Sequence, residues 1–406
     1  MTGSDGRTRL LRVEKPIYGM AQAGRRWQRS IFPWILEQGF TACGSDSCVF
    51  VLRKTVQTPT GPRDETVILG CYVDDLFTLY SHDDEHSLYR SFTQALQTRW
   101  EVEDEGEVSD LLNVEISRTD KHVTLKQAGY IESMCSYFMP DGVPTSAQRN
   151  GTPARKNLPE LVDLALAAKV EPDPALLKRY QSIVGAVNYC ATHTRPDIAF
   201  AVGMLSRAMA YPTPELMEAA EKVLRYLYRT RHLGLRYEPD TLPLEGYSDS
   251  DWAVRHSTSG FVFRMCHAAI SWASKKQKSV ALSSCEAEIV AASEGTKEAI
   301  YLGAFLKELG YPSGAPISMS VDNQAARDLA YNPEHHERTK HIDRRHFFVR
   351  ERVETGEITV PYVRTQDNYA DFFTKPLAPK QFVPMRNYIM NMIDPSSRPP
   401  SHTQGG

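Results

Sequence analysis

GYSDSDWA at residues 246–253, SGFVFRM at 259–265 and AAISWAS at 268–274 form three short runs rich in aromatic and β-branched residues, each read as a strand. A helical stretch opening at SSCEAEIVAA (283–292) follows. Then come a strand PISMSVD (316–322), further helices, a strand ITVPYV (358–363) and a last helix. Three strands, helix, strand, helix, strand, helix make an α/β domain over residues 241–390. In PISMSVD the apolar Ile317, Met319 and Val321 alternate, so one face of that strand is buried.

Working upstream, residues 173–231 are patterned almost wholly as helix. Breaks are expected at Arg195-Pro196 and at Tyr211-Pro212-Thr213-Pro214. Residues 140–159, rich in Pro, Gly, Ser and Thr, read as a linker, and 140–240 as linker plus a helical region. Before that, TVILGCYVDDLFTLY (66–80) reads as two β-rich runs meeting at Val73-Asp74-Asp75, a hairpin with its acids at the tip. A helix is expected over 15–40, where Trp27, Ile31, Trp34 and Ile35 share a face, and another over 87–100. Residues 111–116 and 123–125 read as a short strand pair. The end, DPSSRPPSHTQGG, has a disordered composition, so 391–406 are expected to form a tail.

With 406 residues the chain is long enough for two or three cores. A net charge of −3 argues against a protein that simply coats nucleic acid. Seven scattered cysteines without a CxxC pair point to reduced thiols in the cytoplasm or nucleus. No secretion signal opens the chain, and no apolar run approaches the roughly 20 residues of a membrane span. The expectation is a soluble protein with no membrane partner.

Acids stand near element ends in four strings: YSDSDWA (247–253), SSCEAEIVAA, SMSVDNQAA (318–326) and NYADFFTKPL (368–377). Carboxylates converging from several elements are what binding of divalent metal ions requires, and Mg²⁺ prefers such hard oxygen ligands. Asp249 and Asp251 share one strand face, and periodicity does not choose between them. Ser283 and Glu286 have capping-box spacing, which occupies Glu286 and leaves Glu288, about 200° around the helix, free to face a site. Asp322 ends its strand. The histidines of EHHERTKHIDRRH (334–346) tempt a zinc reading. However, His336, His341 and His346 are spaced by five, cannot share a helix face, and have no Cys nearby.

These four strings resemble the ribonuclease H domain of copia-type (Ty1/copia) retrotransposons. PIYGMAQAGRRW (16–27) and CYVDDLF (71–77) resemble the reverse transcriptase of the same Pol polyprotein. DLLNVEISR (110–118), KQAGYIESM (126–134), TRPDIAFAVGMLSR (194–207) and VLRYLYRT (223–230) continue the pattern. The resemblance implies an α/β (α+β) protein: a partial reverse-transcriptase palm over 1–139, a helical thumb or connection, and a C-terminal ribonuclease H-like domain with a mixed five-stranded sheet. It selects Asp249 over Asp251, supports Glu288 and Asp322, and makes Asp371 the fourth acid, opening the last helix. It implies two Mg²⁺ ions per nuclease site, with Mn²⁺ as a substitute, and Asp74 and Asp75 as metal ligands of the palm.

Nucleic-acid contacts are expected at Gln22 and Arg25, in the basic strip Lys275, Lys276 and Lys278, and at Arg338, Lys340, Arg344 and Arg345. The implied partners are an RNA–DNA hybrid, a template–primer and upstream polyprotein segments. The implied location is the cytoplasm, inside virus-like particles, or the nucleus. The family's QAP is here Gln22-Ala23-Gly24, its primer-side Gly is Asn113, a common His is Leu216, and the His-bearing loop before the last acid is replaced by VRTQD (363–367). The family's first palm Asp and its fingers lie upstream of Met1. The expectation is therefore a truncated Pol segment that cleaves hybrid RNA and makes no DNA, with a non-catalytic nucleic-acid-binding relic as the rival.

Overall fold

A computed structural model describes residues 17, 19–143, 151–241, 243–252, 257–311, 316–331 and 343–392, apart from the side chains of 343, 344 and 346. The chain divides into two compact units: residues 1–105 with 303–312, and residues 106–302 with 313–406.

In the first unit helix α1 (Ala23–Glu37) is followed by β1 (Thr41–Ala42), β2 (Val49–Thr58), β3 (Gly61–Tyr72), β4 (Asp75–Tyr80) and α2 (Leu88–Arg99). The strands form an antiparallel sheet in the order β1-β2-β3-β4. Alternation along β2 and β3 decides its faces. Phe50, Leu52, Val67 and Leu69 join Ile31 and Ile35 of α1 and Phe92 of α2 in one core, while Val51 and Ile68 point the other way. Helix α1 is shorter than the expected 15–40. Its described lead-in is a turn at Gly19, whose φ of +87° belongs to the left-handed region. Ser87 caps α2, accepting the N–H of Arg90 at 3.2 Å. The long strand β2 went unread in the sequence.

The second unit begins with β5 (Asp110–Leu111), β6 (Val114–Arg118) and β7 (Val123–Lys126), then α3 (Ala128–Phe138), α4 (Leu158–Ala168), α5 (Pro174–His193), α6 (Ala199–Arg207) and α7 (Pro214–Arg229). The expected single strand over 111–116 is broken. Leu112 and Asn113, with φ of +54° and +59°, make a two-residue turn that folds β5 against β6. A Gly or Asn suits that turn, which accounts for Asn113 at the family's Gly. Strand β8 (Leu235–Tyr237) adds to β7, completing a sheet β5-β6-β7-β8. Helix α4 was not foreseen, and it starts inside the stretch read as linker. The helical breaks fall where Pro196 and Pro212–Pro214 put them. Along α7 Leu216, Ala219, Ala220, Val223, Leu224 and Leu227 repeat at three- and four-residue steps and are buried, each large one contributing about 1.5–3 kcal/mol.

The rest of this unit is β9 (Glu245–Asp251), β10 (Thr258–Met265), β11 (Ala268–Lys276), α8 (Ser284–Glu308), β12 (Ile317–Ser320), α9 (Gln324–Tyr331), α10 (Asp343–Glu354), β13 (Ile358–Thr359) and α11 (Pro379–Ile389), with the last residues of α8 counted in the first unit. The sheet order is β11-β10-β9-β12-β13. Its first three strands are antiparallel, and β12 is parallel to both β9 and β13. This is the mixed five-stranded sheet that the resemblance implied. The parallel β9–β12 pair requires a crossover, which α8 supplies. Val262 and Phe373 from this domain share a core with Tyr180, Leu205 and Leu227 of the helical layer. The Trp272 indole N–H donates to the Ala191 carbonyl at 2.7 Å. Among the described residues no helix is long and apolar enough to cross a membrane.

Candidate metal centre and nucleic-acid interface

Four elements deliver the acids. Asp249 lies on the central strand β9, opposite Gly260 of β10. Glu288 lies in the second turn of α8, whose start is fixed by Ser283: its Oγ accepts the Glu286 N–H at 3.1 Å, and Glu286 Oε2 accepts the Leu282 N–H at 2.7 Å. Glu286 is thus a capping residue, as its spacing indicated. Asp322 follows β12, just before Asn323, whose side chain caps α9 by accepting the Ala326 N–H at 3.0 Å.

Asp371 does not open the last helix. It sits in a short 3-10 turn, Tyr369–Phe373, and α11 begins only at Pro379. Asn368 starts that turn and ties it to β9: its side chain accepts the Ala370 N–H at 3.1 Å and donates to the Ser248 carbonyl at 3.0 Å.

One ligand oxygen from each of Asp249, Glu288 and Asp322 lies within 4.8 Å of the others. Asp371 falls outside that gathering but stands beside Asp249, its Oδ1 2.7 Å from Lys375 Nζ. Asp251 also falls outside, so the tertiary structure separates two acids that periodicity left equivalent.

Glu288 Oε1 accepts the N–H of Ser250 at 3.3 Å and its hydroxyl at 2.9 Å, whereas Oε2 is buried without a hydrogen-bond partner. The Thr374 hydroxyl donates to Asp249. Burial, reinforced by Asp249 and Asp322, pushes Glu288 up to about 9. Burial raises Asp249 as well, against Lys375 and Thr374. Asp371 is pushed up to about 7 by burial and Asp249, with Lys375 opposing. Glu288, so disposed, holds its proton at neutral pH unless a cation replaces it. The all-oxygen donor set and the orphaned Glu288 oxygen fit a hard divalent ion.

Ser250, Thr374, Lys375, Asn368 and Gly260 escaped the sequence reading. A Cβ on Gly260 would lie 2.8 Å from the Cβ of Phe373 and 2.8 Å from Cγ2 of Thr374, so only glycine admits the Asp371 turn there. A Gly inside a strand, opposite the first acid, was the available signal.

Asp74 and Asp75 lie at the β3–β4 tip, both exposed, where Tyr72 pairs with Asp75. Val73 takes φ +52°, a strained value for a β-branched residue. Among the described residues no third metal-ligating side chain gathers with these two acids. Gln22 and Arg25 are exposed at the start of α1. Lys275 and Lys276, at the end of β11, and Lys278 beyond it are exposed, and Arg345 Nη1 donates to the Ser279 hydroxyl at 3.0 Å. Arg338, Lys340, His336 and His341, together with the side chains of Arg344 and His346, lie outside the described residues.

Comparison with known proteins matches the family described as "Reverse transcriptase (RNA-dependent DNA polymerase)" to residues 3–147. The chain is 35% identical over 381 residues to a retrovirus-related Pol polyprotein from transposon TNT 1-94 of Nicotiana tabacum, covering 92% of this chain and 27% of that protein. It is 30% identical over 289 residues to a putative transposon Ty5-1 protein of Saccharomyces cerevisiae, covering 70% of this chain and 87% of that protein. The structure of a foamy viral protease-reverse transcriptase in complex with RNA/DNA hybrid aligns at a TM-score of 0.42 and 17% identity, over 73% of this chain and 36% of that one. The chain thus spans about a quarter of the length of the TNT 1-94 polyprotein. With its sequence matched over most of its length by transposon Pol proteins, the chain belongs to the copia-type retrotransposon Pol family.

Proposed function

We propose that the second unit hydrolyses the RNA strand of RNA–DNA hybrids, endonucleolytically and with Mg²⁺. The convergence of Asp249, Glu288 and Asp322 around a buried, unpartnered carboxylate oxygen carries this reading. These three residues, with Asp371 beside them, would hold two divalent ions, Mg²⁺ or Mn²⁺ in its place. When bound, such ions supply Lewis-acid polarisation and neutralise charge developing on phosphate oxygens. The chain's own residues set the stage: Ser250 orients Glu288 and Thr374 orients Asp249. Half-buried Asp322 leaves the site open to solvent.

Palm chemistry is assigned to 1–139, with Asp74 and Asp75 as metal ligands and Gln22 and Arg25 on the template–primer. A linker and thumb or connection is assigned to 140–240, and the nuclease to 241–390. RNA-directed DNA synthesis belongs to the longer Pol protein. Two exposed acids without a third ligand among the described residues do not make a two-ion clamp, so no primer extension is expected from this chain alone.

The test is cleavage of a 5′-labelled RNA strand annealed to DNA. Cutting with Mg²⁺ that vanishes in EDTA and in Asp322→Asn supports the nuclease. Hybrid bound but left intact by a folded chain refutes it in favour of a binding relic.

Lys275, Lys276 and Lys278, with Arg345, are assigned to hybrid phosphates, and Arg338, Lys340 and Arg344 to the same role. Reversing two charges, Lys276→Glu with Lys278→Glu, is expected to weaken hybrid binding and to lower the slope of log K against log salt by about 1–2. A filter-binding series over salt reads this. An unchanged slope removes the lysines from the interface.

A further inference from the structure

The segment DFFTK (371–375) winds back on itself in one turn. The Thr374 and Lys375 N–H groups both point at the Asp371 carbonyl, at 3.3 and 3.4 Å. Pro376 follows and cannot extend the helix. The turn returns two consecutive side chains to the acids: the Thr374 hydroxyl to Asp249 and the Lys375 ammonium to Asp371, 2.7 Å away. The Lys375 side chain is only 37% exposed, and it also feels the charges of Asp249 and Asp322.

Three carboxylates therefore converge with a bare oxygen among them, while the fourth already has a cation at ion-pair distance, its Oδ1 making no hydrogen bond. The charges make the consequence plain. Once all four carboxylates are ionised, one divalent ion and one ammonium leave a single negative charge. Two divalent ions neutralise all four and leave the ammonium in excess, repelled by both ions.

On the nuclease reading of this site, we propose that Lys375 is a built-in cation standing in for a second divalent ion, which binds only by displacing the ammonium from Asp371. Asp249, Glu288 and Asp322 take the first ion without disturbing Lys375. The second enters against it, so that a substrate phosphate arriving with its own negative charge favours the exchange. Lys375 is on this account a positioning residue that sets how many ions the free protein holds.

Calorimetric titration of Mn²⁺ into the metal-free full chain counts the ions in the absence of substrate. Lys375→Met removes the charge and keeps the stem, and Lys375→Arg keeps the charge. Wild type and K375R are expected to bind one ion, with any second at least about tenfold weaker. K375M is expected to bind two within about tenfold of each other. A K375M protein that still holds a single ion, or that loses affinity at both positions, overturns the assignment.

Thermal unfolding supplies a second reading. K375M should melt below wild type in EDTA and regain the wild-type temperature in saturating Mn²⁺, because an ion takes over the ammonium's place. An equal loss in both conditions makes Lys375 a structural residue only and also overturns it. Neither measurement reads RNA cleavage, so failure of the nuclease and failure of this assignment are told apart.

Discussion

Glu288→Gln is expected to stop hybrid cleavage, by about 10³-fold or more, and at the same time to make the metal-free protein more stable. The first effect rests on the proposed function, in which Glu288 is a metal ligand whose share of charge stabilisation is worth several kcal/mol. The second follows from burial. Glu288 lies among Asp249 and Asp322 with one oxygen unpartnered, and its carboxyl is pushed up to about 9 from an ordinary 4.5. A carboxyl raised in this way binds its proton more tightly when folded. The proton's contribution to stability is complete below pH 4.5 and is lost as pH rises toward 9.

In EDTA the wild-type protein should therefore lose stability between about pH 5 and pH 9, with Asp371 contributing up to about 7. A neutral Gln keeps the volume, needs no proton and removes most of that slope. The gain at pH 8 is expected to be about 2–4 kcal/mol, below the full shift because Asp249 and Asp371 share the remaining charge. Divalent ions should reverse the ranking, stabilising wild type and leaving the variant unmoved. Urea unfolding at pH 5 and pH 8, with and without Mg²⁺, measures all of this. A variant no more stable than wild type in EDTA at pH 8 contradicts the account.

Asp197→Ala should be the most damaging change outside the site, costing about 3–5 kcal/mol. Arg195 is wholly buried. Its Nε and Nη2 meet the two oxygens of Asp197 at 2.9 and 2.7 Å, and it also donates to the carbonyl and hydroxyl of Thr230 at 3.1 and 2.6 Å. Tyr226 donates to Asp197 Oδ2 at 2.6 Å, and Arg386 of α11 reaches the Tyr226 hydroxyl at 3.4 Å. The network joins the turn after α5, the end of α7 and the last helix, α11. Removing the carboxylate strands a guanidinium with no solvent.

Burial resists the Asp197 charge, but Arg195 and Tyr226 outweigh it and hold the carboxyl below its ordinary value. Its contribution is present above pH 3.8 and is lost as pH falls further, the opposite sense to Glu288. Replacing both partners with apolar residues of similar size, Arg195→Met with Asp197→Leu, should cost less than Asp197→Ala alone. Chemical unfolding of the three variants tests the pair. A single-variant loss under about 1 kcal/mol would show the network to be dispensable.

Much of the backbone was legible because its signals are local. The three strands and the helix after them, the Ser283–Glu286 cap and the proline breaks around 196 and 212–214 each depend on residues a few positions apart. The hairpin that exposes Asp74 and Asp75 was legible for the same reason. Where local signals conflict with pairing, the reading failed. Leu112-Asn113 looked like strand interior and is a turn, because β6 pairs on one side with β5 and on the other with β7. Strand β8 was invisible, since its partner lies more than a hundred residues upstream.

The sequence by itself determined which residue types could serve and in what order they occur: four strings of acids, a capped helix, a basic strip at Lys275, Lys276 and Lys278, and an acid-tipped hairpin. Only the tertiary structure decided which acids meet. Asp249 and Asp251 are equivalent along their strand, and only the packing of α8 and the end of β12 against β9 gathers Asp249 with Glu288 and Asp322. It also moved Asp371 from a helix start to a turn, seated through Gly260 and steadied by Asn368, and placed Thr374 and Lys375 over the acids. Periodicity describes one element's own faces, whereas convergence depends on distances between elements, and those are set by the core beneath them.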